Sequence, residues 1–527
     1  MDRISVVLMY QKGMNYDDAT FHRTVESIVN QNYQDWEILI VDGRGSDAKN
    51  PFLSKDARIR HVPGEFKNQA QAMNQGMSEA TGQYILLVNN LLAPITFRLS
   101  TLELFWAVAQ RHSNLGMVYS DYSLEDANGA KKDVHLLDYH EGRLRDNMDF
   151  GPVWFLPKRV LDQLGGLNEN YQAAHLYDLR LRVAERYKIV HIAAAKNGYA
   201  YLVRAAEKKQ NVFDYLISGK AIQLEMEDAV TQHLKRIGAY LAPGANYHRI
   251  TYTPEEEAKF KDCIASVVIP VFNREEFIGT AIESVQAQTV QNVEVIVVVN
   301  GGPDDPTING VKPYLPGGTK YNPNKPQVRL IIEDINNIGH CLNKGLRAAR
   351  GKYYVQLDSD DRLKPDAIEK ILKVFDSDDR IGMVIGSYEV WKKNETTGEI
   401  TRMEEIPVVT HDEWTEENGR NNLLRINGAG APRSAHIKII RELGWFGMND
   451  GEYSRNYGED YDLVLRISEQ YRIGRVWEPI YDVIRHAGGT DHAIDQLTVD
   501  RNDNAKDFMR LEAIRRRKMI NSKKHNG

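Results

Sequence analysis

Apolar residues fall into two rhythms along the chain. Unbroken apolar stretches, among them Glu37-Ile38-Leu39-Ile40-Val41, Ile264 to Val271, Glu294-Val295-Ile296-Val297-Val298 and Tyr353 to Leu357, alternate with helical-period segments such as Phe277 to Gln288 and Pro365 to Phe375. Strands of that kind are buried on both faces, which predicts a mostly parallel sheet covered by helices on either side. In such sheets ligands bind beyond the carboxyl ends of the strands, so the informative side chains are those just after each apolar run.

The pattern also repeats. Ser5-Val6-Val7 is echoed by Ser266-Val267-Val268, Glu26-Ser27-Ile28-Val29-Asn30-Gln31 by Glu283-Ser284-Val285-Gln286-Ala287-Gln288, and Asn74-Gln75-Gly76 by Asn343-Lys344-Gly345. Gly82-Gln83-Tyr84 then matches Gly351-Lys352-Tyr353, Gly116-Met117-Val118 matches Gly382-Met383-Val384, and Tyr177-Asp178-Leu179-Arg180-Leu181-Arg182 matches Tyr461-Asp462-Leu463-Val464-Leu465-Arg466. Two tandem doubly wound α/β domains are therefore expected, over 1–205 and 263–495. Between them, 206–262 reads as a linker containing a helix with apolar Ile222, Leu224, Val230 and Leu234, then an extended and a charged piece. The segment 496–527 reads as a helical tail carrying the basic run Arg515-Arg516-Arg517-Lys518.

Bulk numbers narrow the function classes. A chain of 527 residues exceeds what one core supports, and 42% hydrophobic with 27% charged residues is the composition of a globular protein. Its 67 Lys and Arg against 73 Asp and Glu leave a net charge of -6, so no basic field invites a polyanion and nucleic acid is not an expected partner. Two cysteines, Cys263 and Cys341, both in segments that read as buried, exclude a disulfide framework and suggest a reducing compartment. The longest apolar run, Ile264 to Phe272, is too short to cross a bilayer, and Met1-Asp2-Arg3-Ile4 lacks a signal-peptide layout. A cytoplasmic chain is expected, with the basic tail as a candidate contact to the inner face of a membrane.

Three clusters in the second copy carry candidate chemistry. Asp358-Ser359-Asp360-Asp361 follows an apolar strand. Alone it reads as a solvated acidic turn, but three crowded carboxylates are also what a hard divalent ion, Mn²⁺ or Mg²⁺, offsets. Glu459-Asp460 opens an amphipathic helix, where a carboxylate either caps the helix or serves as a general base. Arg485-His486-Ala487-Gly488-Gly489 places a histidine after an apolar stretch. Earlier strand ends add Pro270-Val271-Phe272-Asn273 and Asn300-Gly301-Gly302, the latter an amide suited to a base edge beside glycines that admit a ligand.

In this order the motifs VVIPVFNREEFIGTAIESVQAQT, VEVIVVVNGG, NNIGHCLNKGLRAARGKYYVQLDSDD, GEDYDLVLRI and RHAGG resemble those of family 2 glycosyltransferases with the GT-A fold. The resemblance implies a nucleotide-sugar donor, UDP-linked by preference, held by Pro270, Phe272, Asn273, Asn300, Asn343, Asp358, Ser359 and Asp360. It implies Asp360 and His486 as metal ligands and Asp460, with Glu459 beside it, as catalytic carboxylates in a single inverting displacement onto a glycan, lipid-linked or protein acceptor. Asn300 stands where the family often has an aspartate.

The first copy keeps the fold landmarks and loses the chemical ones. Asn89-Asn90-Leu91-Leu92 replaces the acidic run and His175-Leu176 replaces Glu459-Asp460, whereas Asp42-Gly43-Arg44-Gly45-Ser46-Asp47 still resembles a nucleotide-contacting turn. A non-catalytic domain is expected there, with acceptor holding, homodimerisation or rigidification as its open roles. Two further readings of the whole chain are a bifunctional polysaccharide polymerase using both copies and a non-catalytic glycan-binding scaffold.

Overall fold

In the computed structural model the described residues are 2–11, 14–49, 56–196, 198–205, 219–410, 417–451, 455–487 and 495–525. Gly488 and Gly489 of the RHAGG motif and the first part of the expected linker lie outside them. The chain divides into two compact units, Met1–Gly238 and Ala239–Gly527.

Unit 1 contributes β1 (Ile4–Tyr10), β2 (Trp36–Asp42), β3 (Ile59–Pro63), β4 (Tyr84–Val88), β5 (Ile95–Phe97), β6 (Leu115–Ser120), β7 (Tyr122–Glu125), β8 (Lys131–Val134), β9 (Val153–Pro157), β10 (Lys188–Ile192) and β11 (Tyr201–Arg204). Its main sheet has the order β10-β6-β9-β4-β1-β2-β3, and β5-β11-β7-β8 form a smaller one. Unit 2 contributes β12 (Ala265–Val271), β13 (Val293–Val299), β14 (Gln327–Ile332), β15 (Tyr353–Gln356), β16 (Arg362–Leu363), β17 (Ile381–Lys393), β18 (Ile400–Arg402), β19 (Arg433–His436) and β20 (Arg472–Arg485). Its sheet runs β14-β13-β12-β15-β19-β17-β20-β16, with β18 on β17. The expected α/β architecture is present in both units. Every residue of β1, β2 and β13 is buried, which is why those strands read as unbroken apolar runs.

In each main sheet an inner strand breaks the parallel pattern; in unit 2 the short β16 and β18 are antiparallel as well. β9 runs antiparallel to β4 and β6, and β19 antiparallel to β15 and β17. This insertion gives the amino end of β19 a place beside the carboxyl end of β15, where the expected site lies.

The repeated sequence landmarks turn out to be struts. Ser5 Oγ donates to Glu37 (2.6 Å) and accepts from the Gly82 N–H (2.9 Å); Ser266 Oγ donates to Glu294 (2.7 Å) and accepts from the Gly351 N–H (3.0 Å). Gln31 Nε2 donates to the Ser27 and Arg98 carbonyls as Gln288 Nε2 does to those of Ser284 and Lys364. The Tyr177 hydroxyl donates to the Leu144 carbonyl as Tyr461 does to Leu423, and Arg182 and Arg466 each hold two carbonyls of a preceding turn. Buried polar groups need partners, so each such bond fixes a neighbouring segment.

The span expected as a linker is divided between the units. Helix Lys220–Arg236 packs on helix His175–Ala184, with His233 and Arg236 both on Glu185 at 2.8 Å. Leu241, in contrast, is bonded through its N–H and carbonyl to the Asn421 side chain of unit 2. The tail also departs from expectation. Within helix Gln496–His525, Arg516 forms a forked pair with Glu469, while Arg517 is fully buried and donates to the Arg420 carbonyl (2.6 Å). Half of the run Arg515–Lys518 is thus used inside unit 2 rather than left for solvent or a membrane surface. Among the described residues no helix is long and apolar enough to cross a membrane.

Candidate active site

β15 ends at Gln356 and the chain turns through the acidic run into β16. The turn separates its three carboxylates. Asp361 is buried and accepts from the Ile484 N–H at 2.8 Å, tying the turn to β20. Asp358 lines a cavity, accepts from Gln356 Nε2 at 3.3 Å, and its own N–H donates to the Tyr481 hydroxyl oxygen at 2.9 Å. Asp360 points to His486, just past β20, with Oδ2 and Nε2 2.9 Å apart, and the His486 ring packs on Phe277 with centroids 4.3 Å apart. Burial and the charge of Asp360 push Asp358 up to about 6; burial, with Asp358 and Asp360, raises Asp361 well above the carboxylate range.

The second cluster enters from the helix Glu459–Gln470, which opens after Gly458 in the left-handed region at φ 84°. Asp460 Oδ1 accepts from the Tyr461 N–H (2.6 Å), and Oδ2 lies 2.5 Å from Arg433 Nη2. Burial opposes the charge of Asp460, but Arg433 and then Lys506 outweigh it and hold the carboxyl below its usual range. Lys506 comes from the C-terminal helix and donates to the Asn427 carbonyl (2.7 Å). Glu459 is buried, and burial followed by the neighbouring Asp460 charge pushes it up to about 8.

An acid raised in this way favours the native state below its ordinary value near 4.5, and that advantage is lost as pH rises through 8. The chain without added metal or donor is therefore expected to lose stability relative to Glu459→Gln between those limits, by up to about 1.4 kcal/mol per pH unit. Urea unfolding of both proteins across the range checks this; parallel pH profiles count against it.

Arg433 and Lys506 lie outside every motif of the sequence, and Gln356 lies inside one without a chemical role implied for it. The antiparallel β19 places Arg433 beside Gln356, whose Oε1 accepts from the Arg433 N–H at 3.2 Å. Arg433 and Gln356, together with Pro270, Asp358, Glu459 and Asp460, line a cavity of about 420 Å³, counting its open mouth, backed by an apolar wall that includes Leu342 and Tyr354. Lys506 stands behind it.

The expected donor residues divide. Pro270 and Asp358 line the cavity, Ser359 and Asp360 are half-buried in the turn, and Phe272 and Asn273 are exposed past β12, Asn273 with φ 51°. Asn300 is buried just past β13; its Nδ2 contacts Cys341 Sγ at 3.3 Å, and its Oδ1 has no hydrogen-bond partner among the described residues. Asn343 is engaged within the fold: its Nδ2 donates to the Phe446 carbonyl and its Oδ1 accepts from the Phe446 N–H, both at 3.0 Å, so the amide locks a turn. Asn74 does the same with Leu167 in unit 1.

At the corresponding place in unit 1 the side chains close on themselves. Asn90 Oδ1 accepts from the Met9 N–H (2.9 Å) and its Nδ2 donates to the Met9 carbonyl (2.8 Å). Asp42 is fully buried under Arg44 at 2.7 Å and His61 at 2.9 Å. His175 is buried, and burial depresses its basicity.

The profile of the family described as Glycosyl transferase family 2 matches residues 6–90 and 266–441, one stretch in each unit. The chain belongs to glycosyl transferase family 2. It is 24% identical over 531 residues to an uncharacterized glycosyltransferase of Rickettsia felis, an alignment covering 93% of this chain and 81% of that protein. It is also 26% identical over 244 residues to a chondroitin synthase of Escherichia coli and 27% identical over 228 residues to a hyaluronan synthase of Pasteurella multocida. Those alignments cover 46% and 43% of this chain but only 32% and 21% of the synthases. Among solved structures, S. aureus TarS 1-349 in complex with UDP-GlcNAc aligns at 18% identity and TM-score 0.33, over 44% of this chain and 62% of that one. The family 2 membership makes this chain a glycosyltransferase with relatives among polysaccharide synthases. Among its described residues, no group of three or more His, Cys, Asp or Glu side chains is arranged to enclose a metal ion.

Proposed function

We propose that unit 2 carries the working site and moves a sugar from a nucleotide-sugar donor to a hydroxyl of a glycan acceptor with inversion at the anomeric carbon. The observation that carries this reading is the ionised Asp460, fixed in the same cavity as Asp358. Asp460 accepts the proton of the acceptor hydroxyl while that oxygen bonds to the anomeric carbon. The bond from that carbon to the diphosphate oxygen breaks, and the nucleoside diphosphate leaves with the electron pair. Asp460 and the diphosphate stand on opposite faces of the sugar, which gives inversion.

Asp360 Oδ2 and His486 Nε2 offer an oxygen and a nitrogen to one point, a donor pair that suits Mn²⁺ or Mg²⁺ when diphosphate oxygens and water complete the shell. A cation bound there would offset the charge gathering on the leaving diphosphate. Fewer than three protein ligands is the pattern expected of an ion that arrives with its nucleotide. The family resemblance favours a UDP-linked donor, with Asn300 just past the end of β13 as the candidate contact to the base. The closed side chains around Asn90 and Asp42 support unit 1 as a non-catalytic partner of unit 2, against a polymerase that uses both.

Incubation with a panel of labelled nucleotide sugars, Mn²⁺ and glycan oligosaccharides tests the reading; an α-linked donor should yield a β-linked product. Retention of the α configuration would overturn it. Calorimetry separates the metal from catalysis: Asp360→Ala and His486→Ala are expected to weaken Mn²⁺ binding in the presence of UDP by more than about tenfold, the smaller loss typical of an outer-shell partner. Unchanged binding in both variants would remove these residues from the metal site.

A further inference from the structure

Arg433 is more than a lining residue. Its side chain is 14% exposed, and three of its polar groups are directed: Nη2 to Asp460 Oδ2 (2.5 Å), Nη1 to the Gly430 carbonyl (2.5 Å), and its backbone N–H to Gln356, which in turn holds Asp358. A guanidinium can bridge a carbonyl and a carboxylate with its fork held in one plane, which a lysine ammonium cannot. The start of β19 anchors the arginine to the sheet, so the clamp transmits the position of the rigid strand to the first turn of the Glu459 helix.

We propose that Arg433 is a positioning residue of the transfer reaction: it pins one oxygen of Asp460 against the cavity wall and thereby aims the carboxylate at the acceptor hydroxyl. Among the described residues each Asp460 oxygen makes one bond, to Arg433 or to the Tyr461 N–H, which leaves a second lone pair for the acceptor proton. The inference rests on Asp460 acting as the base. The charged and titratable groups facing Asp460 are Arg433 from β19, Lys506 from the C-terminal helix, Glu459 beside it, and Asp358 and Tyr354 from β15 and its turn. Arg433 is the one in direct contact, so its removal is expected to dominate any change in the acid limb of the rate profile.

The test uses Arg433→Met and Arg433→Lys in the full chain, with the best donor and acceptor found for the wild type. Arg433→Met is expected to lower kcat about 10- to 100-fold at neutral pH, to leave the donor KM within about twofold, and to move the acid limb of kcat/KM upward by about one to three pH units, the range by which an adjacent cation lowers a carboxylate. Arg433→Lys keeps the charge without the fork, so its limb stays near that of wild type while kcat falls. A merely structural role predicts lower stability with an unmoved limb in both variants. An unmoved limb in Arg433→Met, or a loss confined to donor KM, overturns the proposal; the second outcome would make Arg433 a diphosphate ligand. If Arg433→Met does not fold, Arg433→Lys with wild-type kcat overturns it equally. A double-mutant cycle with Asp460→Asn isolates the two readings: full activity in Asp460→Asn alone removes the base, whereas additive losses from the two sites remove only the positioning role.

Discussion

Asp460→Asn is expected to reduce kcat by about 10² to 10⁴-fold, the usual contribution of a positioned general base, while UDP binding stays within about twofold of wild type. The substitution keeps the shape of the side chain while removing its charge and its capacity to take a proton. It also leaves the Arg433 guanidinium without a carboxylate in a site where that side chain is mostly covered, so some stability should be lost with the activity. The two effects separate in the assay. Lost folding lowers the bound fraction in a UDP titration and scales donor binding and rate together; lost base chemistry lowers kcat in protein that still binds UDP. A fall in both by the same factor would mean that Asp460 supports the fold and leaves the proton to another group. Glu459 is the neighbouring candidate, and burial, the first cause of its raised pKa, remains in this variant while the Asp460 charge that adds to it is removed.

How far the site could be read beforehand follows from the kind of work each residue does. The acidic run, Asp460 and His486 were legible because chemistry demands those side-chain types at strand and helix ends, and the structure brings Asp360 onto His486 and Asp358 and Asp460 into one cavity. Arg433 was not legible. A single arginine opening a four-residue strand has no periodicity to mark it, and its meaning depends on an antiparallel insertion that local pattern does not specify. Asn343, which the resemblance placed among the donor residues, recurs as Asn74 in unit 1, where the acidic run is replaced while the asparagine and its turn-locking bonds are kept. A residue retained where the chemistry is gone reports on the fold. The Ser5, Gln31, Tyr177 and Arg182 pairs with Ser266, Gln288, Tyr461 and Arg466 follow the same logic, and the faint repeat in the sequence is largely a repeat of these buried bonds.

The C-terminal helix gives the other large effect. Its composition is that of a solvated basic tail, but one face carries Asp507, Arg510 and Arg517, all with no exposed surface. Arg510 donates to Asp507 (2.6 Å), to the Ile426 carbonyl (2.7 Å) and to Asn427 (2.9 Å), so the loop beside the cavity hangs on this helix. Asp507→Ala leaves a buried guanidinium without its counter-charge and is expected to cost about 3 to 5 kcal/mol, read as a lower urea midpoint for the unfolding of unit 2. Asp507→Ala with Arg510→Met should recover much of that loss, because an apolar pair of similar volume often replaces a buried ion pair at little cost. If the single variant unfolds at the wild-type midpoint, the helix is not integral to the unit. The same reasoning decides what a truncation means. Removing 510–527 takes away Arg510, Arg516 and Arg517 together with their bonds to Ile426, Glu469 and Arg420, so a shortened protein that no longer sediments with anionic vesicles would report a damaged unit as readily as a lost membrane contact. Charge reversal at the exposed Arg515, which pairs only with a neighbour on its own helix among the described contacts, leaves the core intact and is the cleaner probe of any membrane contact.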